Sequence, residues 1–429
     1  TNTIGNVNDL TNFYEYQLYC KSLNASIQGF TRAASAALKL RTKEEYINSI
    51  LTNYKGIDDR RDYDIITIDA PGSQDFDDAI GFRKTDGGSI ISIYITNVFL
   101  WMETLKIWNA FSDRISTIYL PDRKRPMLPT VLANCLCSLQ ENEDRFAFVL
   151  DIHIKDGDIT KHEYKNAIIK VSKNFNYNEG ELLENKIYVC LLNEIQILSK
   201  KYRYLYRITK ATEVVSYLMI LMNYFTAKSL MQYKNGIYRS VLLTTNVSIP
   251  EDIPEKVYKY LKIWNSTCSS YGEYSDDLGH NILELDSYVH ITSPIRRLVD
   301  LLNSIQMIRN HATFEVSSEC VQFYDHWIGR LEYINTTMRA IRRVQMDCTL
   351  LDLCHKNNDM LENTYDGYIF DGITRSDGLY QYMVYLPDLK ISSRITSYKI
   401  LENYSKHEMK IYLFEDEINI KRKIRVQIV

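Results

Sequence analysis

The segment TIDAPGSQDFDDAI, residues 67–80, places four aspartates within ten positions of a chain of 429 residues. They are Asp69, Asp75, Asp77 and Asp78, and isoleucine, phenylalanine and alanine residues surround them. Ionised carboxylates this close repel one another, and each is costly in an apolar setting unless a cation or a hydrogen-bond donor compensates it. The chain can therefore fold here only in a way that brings compensating groups to the carboxylates.

The flanking sequence predicts how the carboxylates are presented. The β-branched run DIITID, residues 64–69, predicts a strand that ends at Asp69, and Pro71-Gly72 predicts a turn. Asp77 and Asp78 are adjacent and cannot share one face of a regular strand, so the returning segment is irregular or helical there. Such a loop could supply ligands to two Mg²⁺ ions about 4 Å apart, because Mg²⁺ binds through one or two carboxylates together with water and substrate phosphates.

Two other interpretations of this segment remain open. It could be an acidic surface loop in which aspartates cap helices. A calcium loop of the EF-hand type fits less well, because the glycine at the sixth loop position and the glutamate at the twelfth are both missing.

A second cluster of charged residues lies in YVHITSPIRRLVD, residues 288–300. Ser293-Pro294 predicts a helix start with serine as the N-cap, which would place Arg296 and Arg297 in the first turn. Two arginines there oppose the helix dipole unless an anion lies between them, and bidentate contact with a phosphate would provide that anion. The alternative is an arginine pair bridged to Asp300 or to neighbouring carboxylates.

A third cluster lies in RISTIYLPDRKRPMLPTVLANCLCSLQ, residues 114–140, where one proline-rich loop carries an aromatic residue and a basic triplet. Tyr119 could stack on a base while the triplet contacts phosphates. The triplet consists of Arg123, Lys124 and Arg125. The alternative is a tyrosine that belongs to the core and a solvated basic turn.

Composition limits the classes of function that remain. The net charge is -3, so no global basic field marks the chain as a nucleic-acid binder, and a polyanion site needs local basic clusters. The polar start is not a signal peptide, and no apolar run approaches the roughly 20 residues that span a bilayer, so no membrane partner is expected. The eight cysteines form no CxxC pair, which predicts free thiols in the cytoplasm or another reducing compartment.

Periodicity divides the chain into three parts. Residues 1–55 are expected to be mainly helical, and residues 56–360 mix strands with long helices. A helix-rich stretch is expected over residues 180–235, and single helices are expected from Pro294 and over residues 321–357. Residues 361–429 predict about five short alternating strands, which favour a small closed barrel of the OB type.

On these motifs the chain resembles the RNase II superfamily, the RNB-type 3'→5' exoribonucleases, over about residues 64–350. TIDAPGSQDFDDAI is similar to the catalytic segment of the family, STIYLP with PMLP and LCSL to its second signature, and YVHITSPIRRLVD to its third. The resemblance implies an α+β fold with a funnel-shaped catalytic domain of mixed sheet and helices, followed by the OB barrel. It also implies hydrolysis of single-stranded RNA from the 3' end to nucleoside 5'-monophosphates, with two Mg²⁺ ions and Mn²⁺ as a substitute.

The resemblance also implies roles for individual residues. The two metal ions would be held by Asp69, Asp75, Asp77 and Asp78. Asp77 would be the most sensitive of these to loss of charge. Arg296 would grip a phosphate near the scissile bond, with support from Arg297. Tyr119 would stack at the 3' end, Tyr177 is a further candidate for stacking, and the barrel would guide single strands toward the funnel.

The chain departs from the usual pattern of the family around these motifs. It has YITNV, residues 94–98, in place of His-Ile-Ala-Asp-Val, and further departures fall at Val241, Ser304-Ile305 and Ser216-Tyr217. None of these removes a metal ligand. Members normally carry two cold-shock domains before the catalytic domain, and residues 1–55 are too short and too helical for one. The alternative function is therefore a catalytically weak or inactive RNA-binding or scaffold protein that acts with a protein partner in place of those domains.

Overall fold

The computed structural model describes residues 4–6, 9–202, 208–240, 249–250, 252–264, 270–275, 283, 285–357, 359–416 and 420–429. Its first helices are α1 (Leu10–Cys20), α2 (Gln28–Leu38) and α3 (Lys43–Asn53). Asp9 caps α1 by accepting the N–H of Thr11, and Thr42 forms a capping box with Glu45 at the start of α3. The prediction of a mainly helical start is confirmed for the described part of residues 1–55.

A mixed sheet of seven strands lies at the centre of the described chain, in the order β1-β8-β7-β4-β3-β2-β9. Its strands are β1 (Ile57–Arg60), β2 (Ile65–Asp69), β3 (Asp78–Thr85), β4 (Gly88–Thr96), β7 (Asp144–Lys155), β8 (Asp158–Lys170) and β9 (Lys173–Asn176), and a separate ribbon is formed by β5 (Ile118–Tyr119) and β6 (Lys124–Arg125). Two of the pairings, β1 with β8 and β2 with β9, are parallel. The two edge strands of the sheet, β1 and β9, therefore each pair with a neighbour that is distant in sequence.

Helices cover the sheet, and several isoleucines of β2, β3 and β4 face α7 and α8 in one apolar core. The helices of this region are α4 (Val98–Leu105), α5 (Thr130–Leu132) with a π-helical continuation (Ala133–Cys137), α6 (Gly180–Glu184), α7 (Lys186–Lys201), α8 (Ala211–Gln232), α9 (Glu255–Trp264), α10 (Leu298–Asn310), α11 (Ser318–Ile328) and α12 (Leu331–Lys356), with a 3₁₀ turn at Trp108–Ala110. A second core joins α2 and α3 to α4, α10 and α11. The antiparallel pair β10 (Ile237–Ser240) and β11 (Ser270–Glu273) lies beside α10 and α12.

The prediction of a helix-rich stretch over residues 180–235 is confirmed, since the described part of it contains α6, α7 and α8. Two other helix predictions need correction. The helix expected from Pro294 begins only at Leu298. The helix expected over residues 321–357 is two helices, α11 and α12, separated at Gly329 and Arg330. Glycine is a poor helix former, and Ser317 caps α11 several residues before its expected start.

Helix α8 is long and apolar enough to cross a membrane by length and composition, with a mean hydropathy of 1.2 over the relevant window. Its sequence, EVVSYLMILMNYFTAKSLM, is strongly apolar, which is typical of a buried helix. Of that window, 67% is buried inside the protein. A buried core helix passes the same test, so the length and composition of α8 are weak evidence for a membrane span.

The C-terminal region forms the barrel that was predicted from the alternating pattern of residues 361–429. After the short helix α13 (Asp359–Glu362) follow β12 (Thr364–Thr374), β13 (Tyr380–Leu386), β14 (Ile391–Ser397), β15 (Lys406–Asp416) and β16 (Lys421–Ile428). The described strands pair in the order β14-β13-β12-β15-β16, and β14 contacts β16, so the barrel is nearly closed. The α+β fold with a C-terminal OB-type barrel is therefore confirmed.

Candidate active site

Three of the four aspartates lie together where β2 ends and β3 begins. Asp69 is the last residue of β2 and Asp78 is the first of β3, and the two strands are antiparallel neighbours. Asp77 is buried, and Asp69 and Asp78 are half-buried. Asp69, Asp77 and Asp78 are called the aspartate cluster below. The clustering predicted from their spacing is thus met for three residues.

The aspartate cluster holds negative charge at a cost. Burial raises the pKa of Asp69 to about 7, with a further contribution from the charge of Asp77. Burial also raises the pKa of Asp77 to about 6, although the charge of Arg296 opposes that change. The pKa of Asp78 lies well above its ordinary value because of burial and the charges of Asp69 and Asp77. The cluster is therefore short of positive charge.

Arg296 is the cation that the fold brings to the cluster. Its Nε donates to Asp77 Oδ2 at 3.0 Å, and the N–H of Ile295 donates to Asp77 Oδ1 at 3.0 Å. Arg296 Nη2 also donates to Ser293 Oγ at 2.9 Å. The Arg296 side chain remains 42% exposed. It can therefore meet a phosphate from the solvent side while it holds Asp77 from the inside.

Arg297 lies in an extended segment before α10 and pairs with a buried carboxylate. The predicted helix start at Ser293-Pro294 is therefore wrong. Asp300 is fully buried, and its Oδ1 accepts Arg297 Nη2 at 2.8 Å and the N–H of Ser293 at 2.7 Å. Arg297 also forms a β-bridge with Ser116, which keeps the chain extended until α10 begins at Leu298. Arg297 therefore follows the alternative interpretation, a bridge to Asp300, and positions the turn that carries Arg296.

Asp75 does not join the aspartate cluster. Both of its carboxylate oxygens accept from Lys124 Nζ, at 2.9 and 2.8 Å. Ser138 pins the same loop, because its Oγ donates to the carbonyl of Gln74 and accepts the N–H of Phe76. The prediction made Asp75 a metal ligand and Lys124 a phosphate contact, whereas the structure pairs the two with each other because their opposite charges meet in a partly buried loop.

The arginines of the basic triplet differ in their exposure to solvent. Arg125 is only 5% exposed and donates to Asp122 and Glu15, so its predicted contact with phosphate is contradicted by its burial. The Arg123 side chain is 68% exposed and lies 3.8–3.9 Å from the same two carboxylates. Arg123 is therefore the member of the triplet that is open to an external phosphate.

Two tyrosines lie near the aspartate cluster. Tyr119 is 41% exposed, and its pKa is raised to about 12 by burial, with contributions from the charges of Asp75 and Asp77. The N–H of Tyr177 donates to the carbonyl of Asp69 at 2.9 Å, and burial together with the charges of Asp78 and Asp69 raises the pKa of its hydroxyl to about 12. Both rings therefore stay neutral and border the carboxylates, as stacking on a nucleic-acid base requires.

The oxygens of the aspartate cluster are candidate ligands for a divalent cation. Within the part of the chain that the structure describes, no group of three or more His, Cys, Asp or Glu side chains converges closely enough to hold a metal ion by itself. However, Asp69 Oδ2 is buried without a hydrogen-bond partner. Mg²⁺ takes one or two carboxylates and completes its shell with water and phosphate oxygens. Asp69, Asp77 and Asp78 fit that donor set, because each oxygen of Asp77 keeps a second lone pair beside its bond to Ile295 or Arg296. Asp75 lies apart from these three in its pairing with Lys124.

Sequence reasoning missed several residues that position the cluster. Ser138, in the LCSL run, holds the loop before Asp77 through two hydrogen bonds. Its place in the run that resembles the second signature of the family was the signal that could have identified it. Thr96, within YITNV, donates its N–H to the carbonyl of Asp77 at 2.9 Å, so this departure from the family still supports the site. Val241 lies outside the described residues.

The comparisons with known proteins agree with this geometry. A family model for the RNB domain matches residues 57–188 and 181–311. Ribonuclease R of Buchnera aphidicola from Schizaphis graminum is 28% identical over 324 residues, which cover 58% of this chain and 45% of the relative. Ribonuclease R of Mycoplasmopsis pulmonis is 36% identical over 138 residues, 32% of this chain and 19% of the relative. The chain thus spans less than half the length of these curated relatives.

Solved structures share the fold. Mycoplasma genitalium RNase R in complex with ribose methylated single-stranded RNA has a TM-score of 0.72 and 16% identity, and covers 100% of this chain and 79% of its own. Yeast Ssd1, a pseudonuclease, has a TM-score of 0.67 and 13% identity, and covers 92% of this chain and 56% of its own. Because the family model matches more than half of the chain, the protein belongs to the RNB domain family of the RNase II superfamily.

Proposed function

We propose that the protein is a hydrolytic 3'→5' exoribonuclease that degrades single-stranded RNA to nucleoside 5'-monophosphates. One observation carries this proposal: the half-exposed Arg296 pairs with Asp77 of the aspartate cluster. Tyr119 and Tyr177 lie near enough to the cluster for its carboxylates to raise the pKa of their hydroxyls. Carboxylates for cations, an arginine for phosphate and rings for bases are the three groups that an RNA 3' end requires.

We propose that Asp69, Asp77 and Asp78 hold two Mg²⁺ ions, for which Mn²⁺ can substitute. When bound, such ions supply an activated water and stabilise the leaving 3' oxygen. The protein supplies the rest of the site. Arg296 offsets the charge that develops on the scissile phosphate. Asp77 orients the Arg296 guanidinium by accepting a hydrogen bond from its Nε.

The test is the shortening of 5'-labelled single-stranded RNA in the presence of Mg²⁺, with mononucleotides resolved from oligonucleotides. We expect Asp77→Asn to lower the rate by about 100-fold or more. The substitution removes a charge and leaves one acceptor oxygen where Arg296 and the N–H of Ile295 each use one. Asp62→Asn, at an exposed aspartate near β2, is the matched control and should digest at the rate of the unmodified protein. Equal rates for the two variants would refute the proposed role of the cluster.

A second candidate function is a catalytically weak or inactive RNA-binding or scaffold protein that acts with a protein partner. The observation that favours it is the Lys124–Asp75 ion pair, which occupies both oxygens of one expected ligand. This candidate predicts tight binding of RNA and no release of nucleotides with either Mg²⁺ or Mn²⁺. Release of mononucleotides by the isolated chain would exclude it.

A further inference from the structure

The outer face of β12 and β13 is covered by helix α9. Tyr260 of α9 stacks on Tyr385 of β13 with ring centroids 3.7 Å apart and planes 2° from parallel. Trp264 packs edge-on against Phe370 of β12 at 5.3 Å. Met383 lies in the same apolar cluster and is 9% exposed. This face of the barrel is therefore a packed interface inside the protein.

That coverage matters for how the barrel can bind RNA. OB-type barrels commonly bind oligonucleotides on the face of their second and third strands, which here are β13 and β14. Tyr260 covers Tyr385 on β13 and also hydrogen-bonds Ser392 on β14. RNA that approached this face would have to displace α9 and its aromatic contacts.

A different face of the same barrel is open and carries aromatic and basic side chains. Lys410, Tyr412 and Phe414 alternate along β15 and so share one side of the strand, and Arg425 lies opposite Tyr412 on β16. Tyr412 is 38% and Phe414 46% exposed. Lys410, Tyr412, Phe414 and Arg425 are called the barrel platform below.

The side chains of the barrel platform contact one another. The rings of Tyr412 and Phe414 lie 6.4 Å apart, and the guanidinium of Arg425 lies 5.0 Å from the centroid of Phe414. Among the side chains that the structure describes, no carboxylate lies within ion-pair distance of Lys410 or Arg425. Lys410 likewise lies 6.0 Å from the centroid of Tyr412, so each ring of the platform is paired with one cation. An outside partner with aromatic bases and phosphates can extend both stacks and meet both cations.

A basic cleft continues from the platform. It has a volume of about 510 Å³ and lies between α1, α12 and β16. Among the described residues that line it, four are basic, Arg425 among them, and one is acidic, Asp347. The other three basic residues are Lys21, Arg343 and Arg422. The excess of positive charge favours a polyanion over a protein with a neutral or basic surface.

We propose that single-stranded RNA binds across the barrel platform, with bases on Tyr412 and Phe414 and phosphates at Lys410 and Arg425. The face under α9 then takes no part in RNA binding. The inference rests on the proposed function because it takes RNA as the ligand. It deepens that function by naming the face on which the substrate enters.

The experiment measures the affinity of the full chain for a single-stranded RNA of about 20 nucleotides, in an Asp77→Asn background that limits digestion. Tyr412→Ala and Phe414→Ala are each expected to weaken binding about tenfold, the usual loss for one stacked base. Tyr398→Ala is the matched control, because this tyrosine of the barrel is 87% exposed and lies outside the platform. It should bind like the parent.

Ultraviolet crosslinking of the same RNA provides a second measurement that does not depend on a variant. Crosslinks are expected in peptides from β15 and β16 and not in those from β13. Unchanged affinity in both platform variants, or crosslinks confined to β13, would overturn the inference. If the unmodified protein fails to shorten RNA but the platform variants lose affinity, the proposed hydrolysis fails and this inference stands. If it shortens RNA and the variants bind normally, only this inference fails.

Discussion

The carboxylates of the aspartate cluster show how much a single side chain depends on its surroundings. Spacing along the chain was sufficient to bring Asp69, Asp77 and Asp78 together, because a strand, a turn and a returning strand leave few other arrangements. The pairing of Asp75 with Lys124 was not predictable. It depends on the loop around β6 folding over the loop before β3, a contact between segments 49 residues apart.

We expect the metal-free protein to lose stability as pH rises from about 4 to about 7. The pKa of Asp69 is raised to about 7, so the folded state binds more protons than the unfolded state in this window, and the free energy of unfolding falls as pH increases. Added Mg²⁺ should therefore raise the melting temperature more at pH 8 than at pH 5. Thermal unfolding at both values, with and without EDTA, measures this.

Asp69→Asn provides the control for that pH dependence. The variant should be more stable than the parent at pH 8 without metal, by about 1 kcal/mol or more, because it removes a poorly compensated charge. Its response to Mg²⁺ should be weaker. A parent protein whose metal-free stability rises between pH 5 and pH 8 would contradict the assignment of a raised pKa to this site.

At the scale of single elements, the start of α10 was misplaced by four residues, from Pro294 to Leu298. The serine-proline signal is real, but the buried Asp300 takes the N–H of Ser293, and Arg297 pairs with Ser116 in a β-bridge. Such long-range pairing overrides local capping preferences. By contrast, α3 begins at Lys43, directly after Thr42, which forms a local capping box with Glu45.

We expect Asp300→Ala to lower the free energy of unfolding by about 3 kcal/mol, because it leaves the Arg297 guanidinium without its buried partner. Hydrolysis of RNA should fall with it, since the turn that carries Arg296 loses its anchor at Ser293. Urea unfolding provides the first measurement and the RNA assay the second. Asp325→Ala, at an exposed aspartate of α11, should change neither quantity. A stable and fully active Asp300→Ala protein would contradict the anchoring role.

At the scale of the whole molecule, the N-terminal helices are integrated with distant parts of the chain. Phe13 and Leu18 of α1 pack in one apolar cluster with Val344 of α12, and Leu413 and Ile424 of the barrel border it. The sequence predicted the helices and the barrel strands from local periodicity. It could not predict that α1 lies between α12 and the barrel, because no local pattern encodes contacts across 400 residues.

We expect Leu18→Ala to cost about 2–5 kcal/mol of stability, because Leu18 is 1% exposed and the substitution leaves a cavity in this shared cluster. Leu40→Ala is the matched control, since Leu40 is 79% exposed, and should change stability by less than about 0.5 kcal/mol. Chemical denaturation of both variants measures the difference. Similar small losses in the two variants would mean that α1 is not part of the core.

The two hydrogen bonds that Arg296 makes to Asp77 and Ser293 have a consequence for evolution and engineering. They set the plane of the guanidinium during folding, so the group is already oriented when a phosphate of the proposed substrate binds. A lysine at this position would keep the charge, but its ammonium has no plane and one anchoring nitrogen in place of three. Arg296→Lys should therefore leave the fold stable and lower the rate of the proposed hydrolysis.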